Sequence, residues 1–269
     1  MPKLKRRFRR RFRHGLSVNR LLPNAVTLLA LCAGVTGVRM ALQDRWEAAV
    51  GLVVFAMLLD AVDGRLARMM DAASEFGAQL DSLSDVINFG VAPPLILYMW
   101  AMGDTGGIGW ALALFFTICC TMRLARFNVA LGDEDPPPWA GKFFTGVPAP
   151  AGAGLALLPM ALAFVFGDDF FRNATLNGLV LLVVGGLMIS RLPTFSAKKI
   201  KIKRHQVGFV LIGVGAFLAF LVSTPWVTLS AAGLIYLIGI PVAALSFLKV
   251  RKAASNVATQ DTDQDNSAP

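Results

Sequence analysis

The stretch DAVDGRLARMMDAASEFGAQLDSLSD, from Asp60 to Asp85, closes one long apolar run and opens the next. Its aspartates are spaced for chemistry. Asp60 and Asp63 stand three apart, Asp81 and Asp85 four apart. On a helix such pairs share one face, with Cβ atoms about 5–6 Å from each other, so two helices side by side bring four carboxylates together. An aspartate at the centre of a membrane helix costs roughly 2.5–3.5 kcal/mol on insertion scales, so such groups face an interior and work there. Like charges that close repel unless cations neutralise them. Divalent metal is the economical solution. All-oxygen ligation suits hard ions such as Mg2+ or Mn2+, and no cluster of His or Cys points to zinc or copper. Two such ions would clamp a phosphoryl group in transfer.

The residues between the carboxylates fit the same picture. Gly64, Ala67 and Gly77 lack bulk, which lets a ligand or a neighbouring helix approach the backbone, and Arg68 offers a planar fork for phosphate oxygens. The plain alternative is that the small residues serve helix packing and that Arg65 and Arg68 only mark the cytoplasmic flank. Their setting among four spaced aspartates favours the ligand.

Outward from this stretch the chain is apolar. Of its 269 residues 55% are hydrophobic and only 16% charged, with a mean hydropathy of +0.60, outside the usual range of soluble domains. A bilayer core about 30 Å thick needs roughly 20 apolar residues per helix. The runs predict an all-α, polytopic transmembrane bundle of about eight spans, near 21–42, 47–67, 84–102, 108–130, 149–167, 174–194, 207–223 and 227–248. The third is interrupted by Pro93 and Pro94, which neighbouring helices can accommodate.

Cytoplasmic flanks carry an excess of Lys and Arg. With both termini inside, Lys3 to Arg20, Arg65, Arg68, Arg123, Arg126, Lys142, Arg191 to Arg204 and Lys249 to Lys252 lie in the cytoplasm, and Arg39, Arg45 and Arg172 outside. An odd number of spans would misplace one basic end, so the number is even, with six the alternative to eight. The active site would then face the cytoplasm, from the cell (inner) membrane.

Three parts follow. Residues 1–20 form a basic segment attracted to anionic headgroups rather than a nucleic-acid arm, and too basic for a cleaved signal peptide. Residues 21–250 form the membrane domain. Residues 251–269 are a polar tail with too little apolar surface to order itself. Cys32, Cys119 and Cys120 fall within spans as small packing residues.

Asp60-x2-Asp63-Gly64-x2-Ala67-Arg68-x8-Gly77-x3-Asp81-x3-Asp85 resembles, at every position, the signature of the CDP-alcohol phosphatidyltransferase family. LDSLSDVINFGVAPP, RLARFNV, FFTGVPAPAGAG and RLPTFSAKK are similar to its bacterial phosphatidylserine synthase branch, so the resemblance runs from about Pro23 to Lys199. Asn88 departs from it, standing where a smaller polar residue such as serine is expected. The resemblance implies a homodimeric helical bundle that takes CDP-diacylglycerol as donor. It implies that Asp60, Asp63 and Asp81 hold metal, two ions of Mg2+ or Mn2+, while Asp85 contacts metal and acts as general base. Gly64, Ala67, Arg68, Gly77 and Asp81 would line the CDP pocket.

For the acceptor, Arg123 and Arg126 stand one turn apart, followed by Asn128 and Lys142. A cationic pocket there suits the carboxylate of L-serine; the alternative is that these side chains snorkel to lipid phosphates. Glycerol 3-phosphate, inositol or choline remain rival acceptors, since the signature reads the donor. An ion-coupled transporter would instead spread its carboxylates across membrane depth and over several helices, and a noncatalytic lipid-binding protein would be expected to have lost a signature aspartate.

Overall fold

A computed structural model describes residues 18–70, 74–130, 143–190, 193–195 and 207–240. Lys142, nearly all of the basic segment 1–20, the end of the last expected span and the tail 251–269 lie outside the described residues.

The chain starts as two antiparallel helices, α1 (Val18–Ala41) and α2 (Trp46–Met69), of 24 residues each. At 1.5 Å per residue each is about 36 Å long, enough to cross a bilayer. They are each other's main packing partners, joined by a tight turn in which Asp44 takes a positive φ of 56°. The last turns of α2 bear Asp60, Asp63, Arg65 and Arg68, so its polar end and the start of α1 share one end of the bundle.

The third helix begins nine residues before the expected 84. Ser74 caps it, its Oγ accepting from the Gly77 amide at 3.0 Å, and helical structure runs on to Thr105. Hydropathy alone missed this start because Glu75 to Asp85 is a polar helix. Within it, α3 (Glu75–Asp85) passes into a π-helical turn at Val86–Val91, then α4 (Ala92–Leu97), a second π turn at Tyr98–Met102 and a short 3-10 turn. The prolines account for the break beside the first π turn. Pro94 has no N–H to give the Gly90 carbonyl four residues back, and Thr117 Oγ1, from the next helix, stands 2.8 Å from that oxygen instead. The expected third span is thus helical throughout, its proline defect repaired from outside.

Helix α5 (Gly107–Ala130) returns to the polar end. The expected fifth span is two helices, α6 (Ala149–Ala156) and α7 (Leu158–Phe166), hinged at Leu157 beside Pro159. A short α8 (Asp168–Phe171) leads into α9 (Ala174–Ile189), which packs on α5. α10 (Val207–Ser223) and a final helix α11, Pro225–Ile240, complete the described chain. The non-helical pairing among the described residues is a two-stranded ribbon, β1 (Phe143–Thr145) against β2 (Pro193–Phe195), antiparallel with Phe143 opposite Phe195. It joins FFTGVPAPAGAG to RLPTFSAKK. Gly146 follows β1 at φ 79°, where an added Cβ would come within 2.6 Å of the Met188 carbonyl at the end of α9. No other residue lets the ribbon sit so close to that helix.

Among the described residues four stretches are long and apolar enough to cross a membrane: Leu21–Ala41, Glu75–Thr105, Gly107–Val129 and Ala149–Phe166. Ala174–Ile189 and Pro225–Ile240 are shorter apolar helices. Phe89, Ile96, Leu97, Phe116, Met160 and Met188 centre the core. Leu28, Leu29, Ile118, Met122, Leu182 and Val183 instead lie exposed on the helix exteriors. Apolar side chains exposed on this scale belong against lipid, and the protein is an integral membrane helical bundle. Cys119 and Cys120 are buried as packing residues, with Cys120 against Gly90, whereas Cys32 is exposed on α1.

Candidate active site

The polar end of the bundle collects the spaced aspartates from two helices. One carboxylate oxygen each from Asp60, Asp63 and Asp81 lie within 4.8 Å of one another. Asp85 joins them, its carboxyl in hydrogen-bond contact with that of Asp60. Two carboxylates in contact need a proton or a cation between them. The i, i+3 and i, i+4 spacings therefore do what helix geometry requires, once α2 and α3 stand side by side.

Asp63 is the most enclosed, 3% exposed. Thr27 Oγ1 of α1 donates to its Oδ2 at 2.6 Å, which fixes the carboxylate plane. Its Oδ1 is buried with no partner among the described residues. A buried carboxylate oxygen without a partner is costly, and a cation held between Asp60, Asp63 and Asp81 would satisfy it. The donor set is all oxygen, so these residues fit a hard divalent ion such as Mg2+ or Mn2+.

Around the cluster, Gly64 is exposed, with open space where a Cβ would project. Among the described residues no neighbouring helix demands its smallness, and its backbone is open to approach. Gly77 differs, since a Cβ there would lie 2.9 Å from Asn24 Oδ1. Arg68 is exposed and turns back along α2, its Nε donating to the Gly64 carbonyl at 2.9 Å. Ala67, on the turn between them, is half-buried.

Asn88 sits one turn beyond Asp85, 1% exposed. Its Nδ2 donates to Ser84 Oγ at 3.1 Å, and Ser84 Oγ in turn reaches the Thr27 carbonyl at 3.4 Å. A Cβ on Gly34 of α1 would overlap Asn88 Oδ1. The larger side chain is thus accommodated by a glycine on the facing helix.

The expected acceptor residues divide. Arg123 is 8% exposed, and its Nε is buried without a partner among the described residues. It lies within electrostatic range of Asp85. Arg126 is exposed and donates to the Ile189 carbonyl at 3.1 Å, closing the C-terminus of α9, where a cation is favoured. Asn128 Nδ2 donates at 2.9 Å to Ser82 Oγ, tying α5 to α3 between Asp81 and Asp85.

Sequence reasoning missed Thr27 and Asn24. A signal existed: they are three apart and face the same side of an otherwise apolar stretch of α1, but their partners lie on other helices and no local spacing reveals them.

An all-helical membrane protein with paired aspartates on adjacent helices at one end has the makings of a phosphoryl-group enzyme. A family model described as CDP-alcohol phosphatidyltransferase matches residues 20–190, and a second, CDP-alcohol phosphatidyltransferase 2, matches residues 206–241. The chain belongs to the CDP-alcohol phosphatidyltransferase family. Among curated proteins it is similar to the CDP-diacylglycerol–serine O-phosphatidyltransferase of Mycobacterium leprae, 36% identical over 83% of this chain and 74% of the relative. The protein of that name from Mycobacterium tuberculosis is 34% identical over 88% of this chain and 82% of its own. The one from Helicobacter pylori is 36% identical over 81% and 88%.

Proposed function

We propose that this protein transfers the phosphatidyl group of CDP-diacylglycerol to the hydroxyl of L-serine, giving phosphatidylserine and CMP. The observation that carries the reading is the convergence of Asp60, Asp63, Asp81 and Asp85 from two helices at one end of the bundle. The similarity to serine phosphatidyltransferases over most of the chain supports the acceptor.

Asp60, Asp63, Asp81 and Asp85 would hold two divalent ions, which supply charge neutralisation around the transferred phosphoryl group. Gly64, Ala67, Arg68 and Gly77, with Asp81, form the CDP pocket: Gly64 leaves its backbone open to the diphosphate, and Arg68 adds positive charge. Asp85 takes the proton of the serine hydroxyl. The serine oxygen then forms its bond to the phosphorus bearing diacylglycerol, the bond from that phosphorus to the CMP oxygen breaks, and CMP leaves. Arg123, with Arg126, Asn128 and Lys142, holds the acceptor. A positioned base of this kind contributes about 10²- to 10⁴-fold.

The bundle has eight spans, both termini and the active site face the cytoplasm, and the protein works as a homodimer. Transport fits less well. Among the described residues the other acids Asp44, Glu47, Asp104, Asp168 and Asp169 sit at the opposite end and Glu75 at the cluster's own end, so no file of carboxylates crosses the bundle.

The test is CMP release by purified protein with CDP-diacylglycerol, Mn2+ or Mg2+, and serine, glycerol 3-phosphate, inositol or choline offered separately. Serine-dependent release is expected, falling about 10²- to 10⁴-fold in Asp85→Asn. Release with another alcohol only would overturn the acceptor, and full activity in Asp85→Asn would remove the base.

A further inference from the structure

Two buried polar atoms near the acceptor side of the site have no hydrogen-bond partner among the described residues: Arg123 Nε on α5 and the Tyr236 hydroxyl on α11. The two side chains lie within electrostatic range of one another, and Asp85 is within range of the same guanidinium. Among the described residues no carboxylate forms an ion pair with Arg123. A buried guanidinium and the buried hydroxyl of a half-buried tyrosine, both short of acceptors, make a setting for an anionic acceptor group.

The rest of Tyr236 is anchored. Its ring lines an otherwise apolar cavity of about 240 Å³ with Val50, Val54 and Met57 of α2 and Gly154 of α6, and it packs against the main core. Val50, Val54 and Met57 follow one face of α2, and the next position on that face is Asp60 or its neighbour. The ring is therefore fixed on the wall that leads to the aspartates, while its hydroxyl goes unused by the protein.

We propose that Tyr236 is an acceptor-binding residue whose hydroxyl, together with the Arg123 guanidinium, donates to the carboxylate of the amino-acid acceptor and so aims its hydroxyl at Asp85. This rests on the reaction proposed above. It also gives selectivity a physical basis: inositol and choline have no carboxylate and would leave both donors unpaired, which a site built for hydrogen bonding rejects strongly.

The experiment compares full-length wild type with Tyr236→Phe, in detergent with Mn2+, by serine-dependent CMP release. The KM for serine is expected to rise about tenfold, as for loss of one hydrogen bond to a charged group, while the KM for CDP-diacylglycerol stays within twofold. Serinamide, which lacks the carboxylate, should inhibit both proteins with the same Ki. The melting temperature should not fall, because the deleted hydroxyl has no partner to lose. An unchanged serine KM in the variant, or equal rises in both KM values with a lower melting temperature, overturns the proposal while the reaction stands. A wild type silent with serine overturns the reaction and this proposal with it.

Discussion

Asp63 shows how one residue joins fold to chemistry. One carboxylate oxygen is spent on Thr27, and the other is buried and open to the cluster. Thr27 therefore orients a carboxylate of the proposed metal site without itself joining the cluster. Removing such a supporting hydrogen bond typically weakens metal binding about 10- to 100-fold. Thr27→Val keeps the shape of the side chain and deletes only the donor, so the Mn2+ concentration giving half-maximal activity should rise by that factor, with the rate at saturating Mn2+ largely restored. A metal titration of CMP release checks this. A proportional loss of rate at every Mn2+ concentration would instead show that Thr27 acts on the reacting groups.

At the level of elements, α1 and α3 are held in register by contacts that involve Asn88. It hydrogen-bonds to Ser84, whose hydroxyl reaches the Thr27 carbonyl, and its Oδ1 fills the space left by Gly34. Gly34→Ala should destabilise the protein by about 1–3 kcal/mol, the usual cost of overpacking. Asn88→Ser should relieve most of that cost, so thermal melts of the two single variants and the double variant should be strongly non-additive. Additive losses would mean that the two residues do not share the space. The pairing also explains what the sequence could and could not reveal about the elements. Long apolar runs made α1, α2, α5 and α9 legible to within a few residues. The start of α3 was not, because its first three turns are polar, although Ser74 followed by Glu75 carries a helix-start pattern. That Asn88 is tolerated opposite a glycine 54 positions earlier is a property of packing, which spacing along one helix cannot express.

Across the whole molecule, the four aspartates were legible because helix geometry converts their spacing directly into a shared face. Tyr236 was not, because its relation to Arg123 depends on how α11 returns to the bundle. The same return of helices gives the molecule two chemically different ends. Arg65, Arg68, Arg123 and Arg126 accompany the aspartate cluster, whereas Arg172, at the other end, is tied to Asp168 at 3.6 Å and to the Trp100 carbonyl at 2.9 Å. The 31-residue stretch Glu75–Thr105 links these ends. At 1.5 Å per residue it is about 46 Å long, more than a hydrocarbon core about 30 Å thick requires. On the proposed cytoplasmic orientation, Phe76 and Asp104, both exposed, would lie on opposite sides of the membrane. In a background with the native cysteines replaced, Asp104→Cys and Asp169→Cys should react with a membrane-impermeant maleimide added outside intact spheroplasts, and Phe76→Cys only after permeabilisation. The opposite pattern would invert the orientation and place the site outside the cell, and equal labelling at Phe76→Cys and Asp104→Cys in intact spheroplasts would mean that this stretch does not cross.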